Sequence, residues 1–284
     1  MNKNFVILFS LLIITFVSCQ KEIDWGLGNG STTQKLIRIK SKTGIDTTQI
    51  DYFYDAAKRI IREKTTGIAS GTNLDNELSI NRNSSGIITT SVQKAAALVA
   101  VGIDSVVTRY NYNMSTSRYT SSVFALAIPG IAVTDSVVYT YDAGGRIISD
   151  AHYLQIGGLP IPLPALLSLK NNYVYSASGT NLVSIGQEAI STLGGPLSPV
   201  ASQVFTFDTK INPLIILNEA ILLTRTGLFN ANNATKAIVA NTVSPASNFT
   251  MDYTYRYNSN NKPDSSFGTR TPAGAITVTK YFYQ

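Results

Sequence analysis

The sequence predicts an all-β fold: one large curved antiparallel sheet, a half-barrel or barrel-like meander of about eight β-hairpins, with short helical or apolar insertions. Three observations lead to this prediction. A short motif recurs at intervals of about 30 residues, apolar and polar residues alternate within each copy, and turn-forming residues follow it. The repeats occupy residues 35–284, which we interpret as a single hairpin-repeat domain.

The repeated motif has the form Tyr-x-Tyr-Asp. Clear copies begin at Tyr52 and Tyr139, weaker ones at Tyr110, Tyr173, Phe205 and Tyr255, a half-copy at Tyr281 and a degenerate copy at Leu78. Two rings at alternate positions lie on one face of a strand. The Asp or Asn that follows favours a turn, because its side chain bonds to the backbone two residues later. Each copy therefore predicts a β-hairpin with its turn at the acidic residue.

The two faces of the predicted sheet differ in chemistry. Residues such as Arg109, Asn111 and Arg256 alternate with the rings and face water. The aromatic face is the predicted surface for an apolar ligand, and it consists of Tyr110, Tyr112, Tyr139, Tyr141, Tyr173, Tyr175, Phe205, Phe207, Tyr255 and Tyr257.

Four connections between copies are unexpectedly apolar: Ala95–Ile103, Val123–Val133, Ile156–Leu169 and Pro213–Leu223. The first is a candidate helix through Val101, and Asn212-Pro213 resembles an N-cap that starts a short helix ending near residue 222. Two interpretations stay open. Either these segments cover the aromatic face and complete the core, or they line a cavity for an apolar ligand or partner.

The N-terminal residues predict where in the cell the protein is located. Lys3, the apolar residues 5–17 and the small Ser18 form a signal peptide over residues 1–18. Phe16-Val17-Ser18-Cys19 resembles the lipobox of bacterial lipoproteins, which implies that Cys19 becomes the acylated first residue of the mature chain. Residues 19–34 then read as a flexible tether. The charged residues 21–24 resemble the export signal of Bacteroidota surface lipoproteins, and a plain charged tether is the alternative.

The hairpin body also resembles known proteins. Its Tyr-Asp-x-x-Gly-Arg segment, residues 141–146, is similar to the YD repeats of Rhs-type proteins. Over most of residues 35–284 the chain more closely resembles an uncharacterised family of Bacteroidota lipoproteins with a porin-like fold, on its hairpins, on Asn212-Pro213 and on Asn232-Asn233-Ala234-Thr235-Lys236. That resemblance implies an all-β body behind a lipid anchor and brings no established activity.

The sequence offers no catalytic constellation. His152 is the only histidine and Cys19 the only cysteine, while Asp75 and Glu77 are too few for a metal site. Asp55, Asp142 and Asp208 recur once per hairpin, which indicates turn formation rather than catalysis. We therefore expect no cofactor, no metal and no enzymatic activity. Positive charge is spread along the sequence, so no nucleic-acid partner is expected either.

The predicted function is thus a non-enzymatic, outer-membrane-anchored lipoprotein that binds or scaffolds at the cell envelope and is held to the membrane through Cys19. Exposure on the cell surface is a further expectation. The alternatives are a carrier of lipid or another apolar ligand, a surface glycan-binding protein, and a barrel that itself spans the membrane. The partner could equally be another envelope protein.

Overall fold

The computed structural model describes residues 35–128, 131–157, 164–192, 194–213, 218–223 and 230–284. The predicted signal peptide, Cys19 and the tether lie outside these residues. The strands are β1 Leu36–Thr43, β2 Asp46–Tyr54, β3 Ile60–Ala69, β4 Thr72–Arg82, β5 Ile88–Ala95, β6 Val106–Asn113, β7 Arg118–Ile128, β8 Ile131–Tyr141, β9 Ile147–Gly157, β10 Leu166–Tyr175, β11 Leu182–Ile190, β12 Leu197–Ile211, β13 Asn232–Asn241, β14 Phe249–Tyr257, β15 Pro263–Thr271 and β16 Ala275–Tyr283. The helices are α1 Ala96–Val99, α2 Asn218–Leu222 and a 3-10 turn at Pro245–Ser247.

The strands form a closed barrel in which each pairs antiparallel with the next and β1 pairs with β16. The seam aligns Ile39 with Tyr281, and the amide of Lys35 donates to the carbonyl of Gln284 at 2.7 Å. The all-β prediction and its hairpin number are confirmed, and the half-barrel is wrong. The half-copy at the C-terminus explains the difference, because it supplies the strand that pairs with β1 and leaves no open edge.

The alternation of the repeat separates the inside of the barrel from the outside. Tyr110, Tyr139 and Tyr173 are buried inside, where they join one large hydrophobic core. The residues between the rings, such as Asn111 and Thr140, are exposed on the outer wall. The predicted aromatic inner face is therefore present, whereas the outer face is mixed, because Phe53, Val174 and Phe282 lie between the rings of their copies and are exposed.

The apolar connections differ in secondary structure and in the core that they join. Helix α1 lies in the first, and its Leu98 packs with Ile103 and Leu126 in a second small core. In the last, Ile221, Leu222 and Leu223 are buried in the main core, as the covering interpretation expects.

One prediction for these connections is wrong, and another is not tested. Val123–Val133 is not a loop, because β7 and β8 extend through it as a hairpin whose inner residues pack on the α1 cluster. Asn212 is buried and its side chain donates to the carbonyl of Asn230 at 2.8 Å, and α2 is described over Asn218–Leu222; the helix start at Asn212-Pro213 stays a prediction, because the first turn that it implies lies outside the described residues. Residues 158–163 and 214–217 lie outside the described part. Within that part, no helix has the length and apolar character needed to cross a membrane.

Candidate functional site at the tyrosine rim

One end of the barrel, here called the tyrosine rim, carries the turns that close the Tyr-x-Tyr-Asp hairpins. Asp142 shows how these turns form: its carboxylate accepts the backbone N–H of Arg146 at 2.9 Å and the Nε–H of the same residue at 2.6 Å. These bonds lower the pKa of Asp142, and backbone N–H donation is the largest cause. Gly145 takes φ +80°, a conformation that favours glycine. Asp55 binds Arg59 in the same way, so the predicted turn role is confirmed for Asp55 and Asp142. For Asp208 it is wrong, because this residue lies within β12 and its carboxylate accepts from the backbone N–H of Asn233 at 3.1 Å and from the hydroxyl of Tyr257.

The tyrosines of the repeat are held by two layers of hydrogen bonds. In the inner layer the first tyrosine of three copies shares a hydrogen bond with a serine on the neighbouring strand: Tyr110 with Ser91 at 3.0 Å, Tyr139 with Ser122 at 2.7 Å and Tyr281 with Ser266 at 3.1 Å. Tyr255 differs, because it donates to the carbonyl of Ala234 at 2.9 Å. In the outer layer the second tyrosine of three copies donates to a backbone carbonyl: Tyr54 to Leu36, Tyr141 to Tyr119 and Tyr283 to Pro263, each at 2.7 Å. Tyr257 donates to the carboxylate of Asp208 instead. Burial raises the pKa of Tyr110 and Tyr141 to about 12, so these phenols keep their protons at neutral pH.

The repeat departs from this pattern at Arg82. The degenerate copy predicted to begin at Leu78 in fact begins at Ile80, because the β-bulge that precedes the second tyrosine of other copies falls here between Asn81 and Arg82. Asn83 is its turn residue and accepts the backbone N–H groups of Ser85 and Ile87, both at 3.0 Å. An arginine thus occupies the position of the second tyrosine. Its signal in the sequence was the spacing, which becomes 28, 30 and 29 residues when this copy is moved to Ile80.

Arg82 holds a segment that enters the barrel at the tyrosine rim. This segment, residues 218–223, is called the plug. The Arg82 guanidinium binds Glu219 with two bonds, Nη1 to Oε1 at 2.7 Å and Nη2 to Oε2 at 2.8 Å, and donates to the carbonyl of Gly86 at 2.9 Å. The Arg82 side chain is only 5% exposed. The hydroxyl of Tyr110 donates to the carbonyl of Leu222 at 3.1 Å, so the plug is bound by charge and by the inner tyrosine layer together.

A cavity of about 340 Å³, the mouth cavity, lies between the plug and three hairpins of the tyrosine rim. Its lining residues are Ser85, Gly86, Ile87, Tyr112, Ser117, Arg118, Tyr119, Tyr141, Gly145 and Glu219. The rings of Tyr112 and Tyr119 meet edge to face, with centroids 5.0 Å apart, and the Arg118 guanidinium lies 5.1 Å from the centre of the Tyr141 ring. The cavity therefore combines aromatic surface with a cation and hydroxyl groups.

Two side chains in the mouth cavity have polar atoms available for a ligand. Tyr112 is the second tyrosine of its copy, yet its hydroxyl makes no hydrogen bond with any residue the structure describes, because Tyr119 has taken the neighbouring backbone position and accepts the N–H of Ile88 at 2.7 Å. The guanidinium of Arg118 has the Tyr141 ring as its partner and no carboxylate among the described residues. Both groups are thus donors that a bound molecule could satisfy.

The second departure from the repeat lies deeper in the barrel, where Asp150 stands in the place of the inner-layer serine. Asp150 accepts from the hydroxyl of Tyr173 and lies 3.3 Å from Nε2 of His152, whose Nδ1 is 2.7 Å from Asp135. Burial favours neutral His152, but the two carboxylates outweigh it and raise the pKa of this histidine to about 10. The result is a buried cation between two anions, with Oδ1 of Asp135 lacking a hydrogen-bond partner in the described structure.

The ten residues of the predicted apolar ligand face are distributed unevenly. Tyr112 and Tyr141 border the mouth cavity, and Tyr119, which the prediction omitted, joins them. Tyr110, Tyr139 and Tyr173 are buried in the packed core. Tyr175, Phe205, Phe207, Tyr255 and Tyr257 are half-buried and do not line that cavity. An apolar ligand on this face remains a prediction.

The other candidate sites have fewer features of a binding site than the mouth cavity has. A second cavity, of about 540 Å³, borders Lys35, Tyr52 and Gln284, where the chain enters from residues outside the described part. Among the described residues, no group of three or more His, Cys, Asp or Glu side chains is arranged to hold a metal ion. Asp75 lies on the outer wall, 3.4 Å from the ammonium group of Lys64.

No family model and no curated protein matches the sequence. Among solved structures, the chain is similar to a porin-like protein from Bacteroides uniformis ATCC 8492, with a TM-score of 0.51, 13% identity and coverage of 88% of this chain and 98% of that one. It is also similar to a porin-like protein from Bacteroides vulgatus ATCC 8482, with a TM-score of 0.52, 11% identity and coverage of 88% and 99%. At this identity the likeness concerns the fold alone, and it confirms the porin-like all-β fold that the sequence resemblance implied.

Proposed function

We propose that this chain is a lipid-anchored, non-enzymatic binding protein of the bacterial cell envelope, in which the closed barrel presents the mouth cavity to a ligand. The observation that carries the proposal is the mouth cavity itself. Three tyrosine rings, the Arg118 cation and two serines meet there at one end of the closed barrel. Sites for small molecules are concave and combine aromatic surface with a few polar groups.

The outer wall supports a barrel that stands in water. Charged side chains recur along the middle of neighbouring strands, including Asp51, Lys64, Glu77 and Lys94, which face each other across β2, β3, β4 and β5. A barrel wall in contact with lipid is apolar across its middle, and charges there are costly. This supports the proposal that acyl chains on Cys19 attach the protein to the membrane, since two or more such chains hold a protein stably.

Replacing Cys19 with alanine tests the anchor. We expect Cys19→Ala to abolish incorporation of a radiolabelled fatty acid and to remove the protein from the outer-membrane fraction. The barrel closes through the pairing of β1 with β16 and does not involve this residue. The acylated chain that begins at Cys19 and the chain that begins at Gln20 should therefore have the same melting temperature. Labelling that persists in Cys19→Ala would contradict the assignment.

The ligand class that the mouth cavity favours is a carbohydrate. Sugar rings present apolar faces that pack on tyrosine and hydroxyl groups that accept from donors such as Arg118 and Tyr112. A long apolar chain would find less to contact, because the inner tyrosines already pack on Ile221, Leu222 and Leu223. The lipid-carrier alternative is accordingly the weaker of the two.

A glycan array on the chain that begins at Gln20 tests this ligand class. We expect at least one glycan to raise the melting temperature of the protein, and Arg118→Gln or Tyr112→Phe to weaken its binding about 5- to 10-fold, because a ligand hydrogen bond contributes roughly 1–1.5 kcal/mol. Arg62→Gln is the matched control, since Arg62 lies 3.9 Å from the ring centre of Phe53 on the outer wall, away from the cavity. A melting temperature that no glycan changes would exclude this ligand class.

A further inference from the structure

Closure of the barrel brings together positive charges that are far apart in the sequence. Lys40 and Lys280 are cross-strand partners at the seam. Lys280 is also opposite Ser265 on β15, and Ser265 is opposite Arg256 on β14, so the four residues form one row across neighbouring strands. Lys42 lies two residues from Lys40 on the same face. These four residues, Lys40, Lys42, Arg256 and Lys280, are exposed and are called the basic wall. The sequence suggested evenly spread charge, and the cluster exists only because β1 meets β16.

The basic wall lacks the neutralising partners found elsewhere on the barrel. Arg38 pairs with Asp51, Lys64 with Asp75 and Lys236 with Asp252. Within the part of the chain that the structure describes, no carboxylate forms an ion pair with a residue of the basic wall. Like charges placed directly opposite each other on paired strands are destabilising. The repulsion between Lys40 and Lys280 therefore lowers the stability of the seam, and a bound anion would reduce this repulsion.

Apolar side chains accompany these charges. Phe282 is 39% exposed and its ring lies 6.0 Å from the ammonium group of Lys40, while Phe267 is 41% exposed next to Val278 in the row of Lys42. Basic residues mixed with exposed aromatic rings are typical of surfaces that lie on a bilayer, where the rings enter the headgroup region and the cations meet anionic lipid.

We infer that the basic wall docks onto an anionic lipid surface and lays the barrel side-on against the membrane. The position of the wall supports this partner: β1 carries Lys40 and Lys42 and begins directly after the tether, residues 19–34. At about 3.5 Å per residue the tether spans at most roughly 55 Å, which keeps the seam close to the bilayer. The inference rests on the proposed anchor only for this proximity, because the wall itself needs no acyl chain to bind.

Vesicle binding by the chain that begins at Gln20 tests the inference separately from the anchor. The probes are vesicles of phosphatidylglycerol with phosphatidylethanolamine, vesicles of phosphatidylcholine alone, and a DNA duplex at equal phosphate concentration. We expect binding only to the anionic vesicles, and weaker binding as salt shortens the reach of the charges to about 8 Å at 0.15 M.

The variants decide which surface binds. Lys40→Gln/Lys280→Gln should lower vesicle affinity roughly 25-fold, about 5-fold for each lysine, and should leave the melting temperature unchanged or higher. Lys94→Gln/Lys170→Gln removes the same charge from β5 and β10 and should have little effect. Three results would overturn the inference: no binding to anionic vesicles, equal loss in both double variants, or tighter binding to the duplex than to the vesicles. Loss of acyl labelling in Cys19→Ala bears on the anchor alone.

Discussion

Replacing His152 with glutamine is expected to destabilise the barrel by about 3–5 kcal/mol at pH 7, because Asp135 and Asp150 would remain buried without a cation between them. Chemical denaturation of the chain that begins at Gln20 measures this loss. Asp135→Asn added to His152→Gln removes one of the stranded charges and should recover part of the stability. A single variant that loses less than about 1 kcal/mol would show that the carboxylates do not depend on the imidazolium.

The same ion cluster predicts how stability depends on pH. The pKa of His152 is about 10 in the folded chain, against roughly 6.5 in an unfolded one. Between these values the folded state holds the extra proton, so the stabilisation is fully present below about pH 6.5 and is lost as the pH rises towards 10. From pH 7 to 9 the free energy of unfolding should fall by up to about 2–3 kcal/mol, and His152→Gln should lack this slope.

The ion pair between Arg82 and Glu219 is the second contact with a large expected effect. Arg82→Met should destabilise the protein by about 3–5 kcal/mol, because it strands the Glu219 carboxylate beside the core. Hydrogen exchange should locate the effect, since the amide of Leu223 donates to the carbonyl of Glu219 at 2.9 Å within the plug. In Arg82→Met the amide of Leu223 should lose more protection from exchange than the amides of the strands.

A double-mutant cycle separates the ion pair from the packing around it. Arg82→Met/Glu219→Met replaces both charges by apolar groups, and such replacement is often neutral. The double variant should therefore be more stable than either single one. If the losses of the two single variants simply add, the pair does not hold the plug.

Most of the fold could be predicted from local patterns in the sequence. The Tyr-x-Tyr-Asp motif determines ring direction, turn position and hairpin number, because each depends on residues fewer than ten positions apart. Asp55 and Asp142 could be identified as turn residues for the same reason. The residues that distinguish the candidate site could not be found in this way. The copy that contains Arg82 was predicted to begin two residues too early, at Leu78, and the partner of Arg82, Glu219, lies 137 residues further along the chain.

The inner face posed the same difficulty. A tyrosine that belongs to the core and one that borders a cavity look alike in sequence, and distant contacts distinguish them: the hydroxyl of Tyr110 donates to the plug carbonyl of Leu222, whereas Tyr112 borders the mouth cavity beside Tyr119. Asp150 likewise looked like an ordinary strand residue until pairing of β8, β9 and β10 brought His152, Asp135 and Tyr173 around it. Charge clusters depend on register and closure, which the repeat leaves undetermined.

The seam between β1 and β16 also sets the order in which this chain can be completed. β1 is synthesised first among the strands and its second partner last, so until Ala275–Tyr283 has emerged the sheet has two open edges. Open edges pair readily with other chains, and joining the ends of so long a chain is slow. Loss of only the final strand would leave both β1 and β15 unpaired along one side. The nine residues of β16 thus protect the first strand, although they are synthesised last of all the strands.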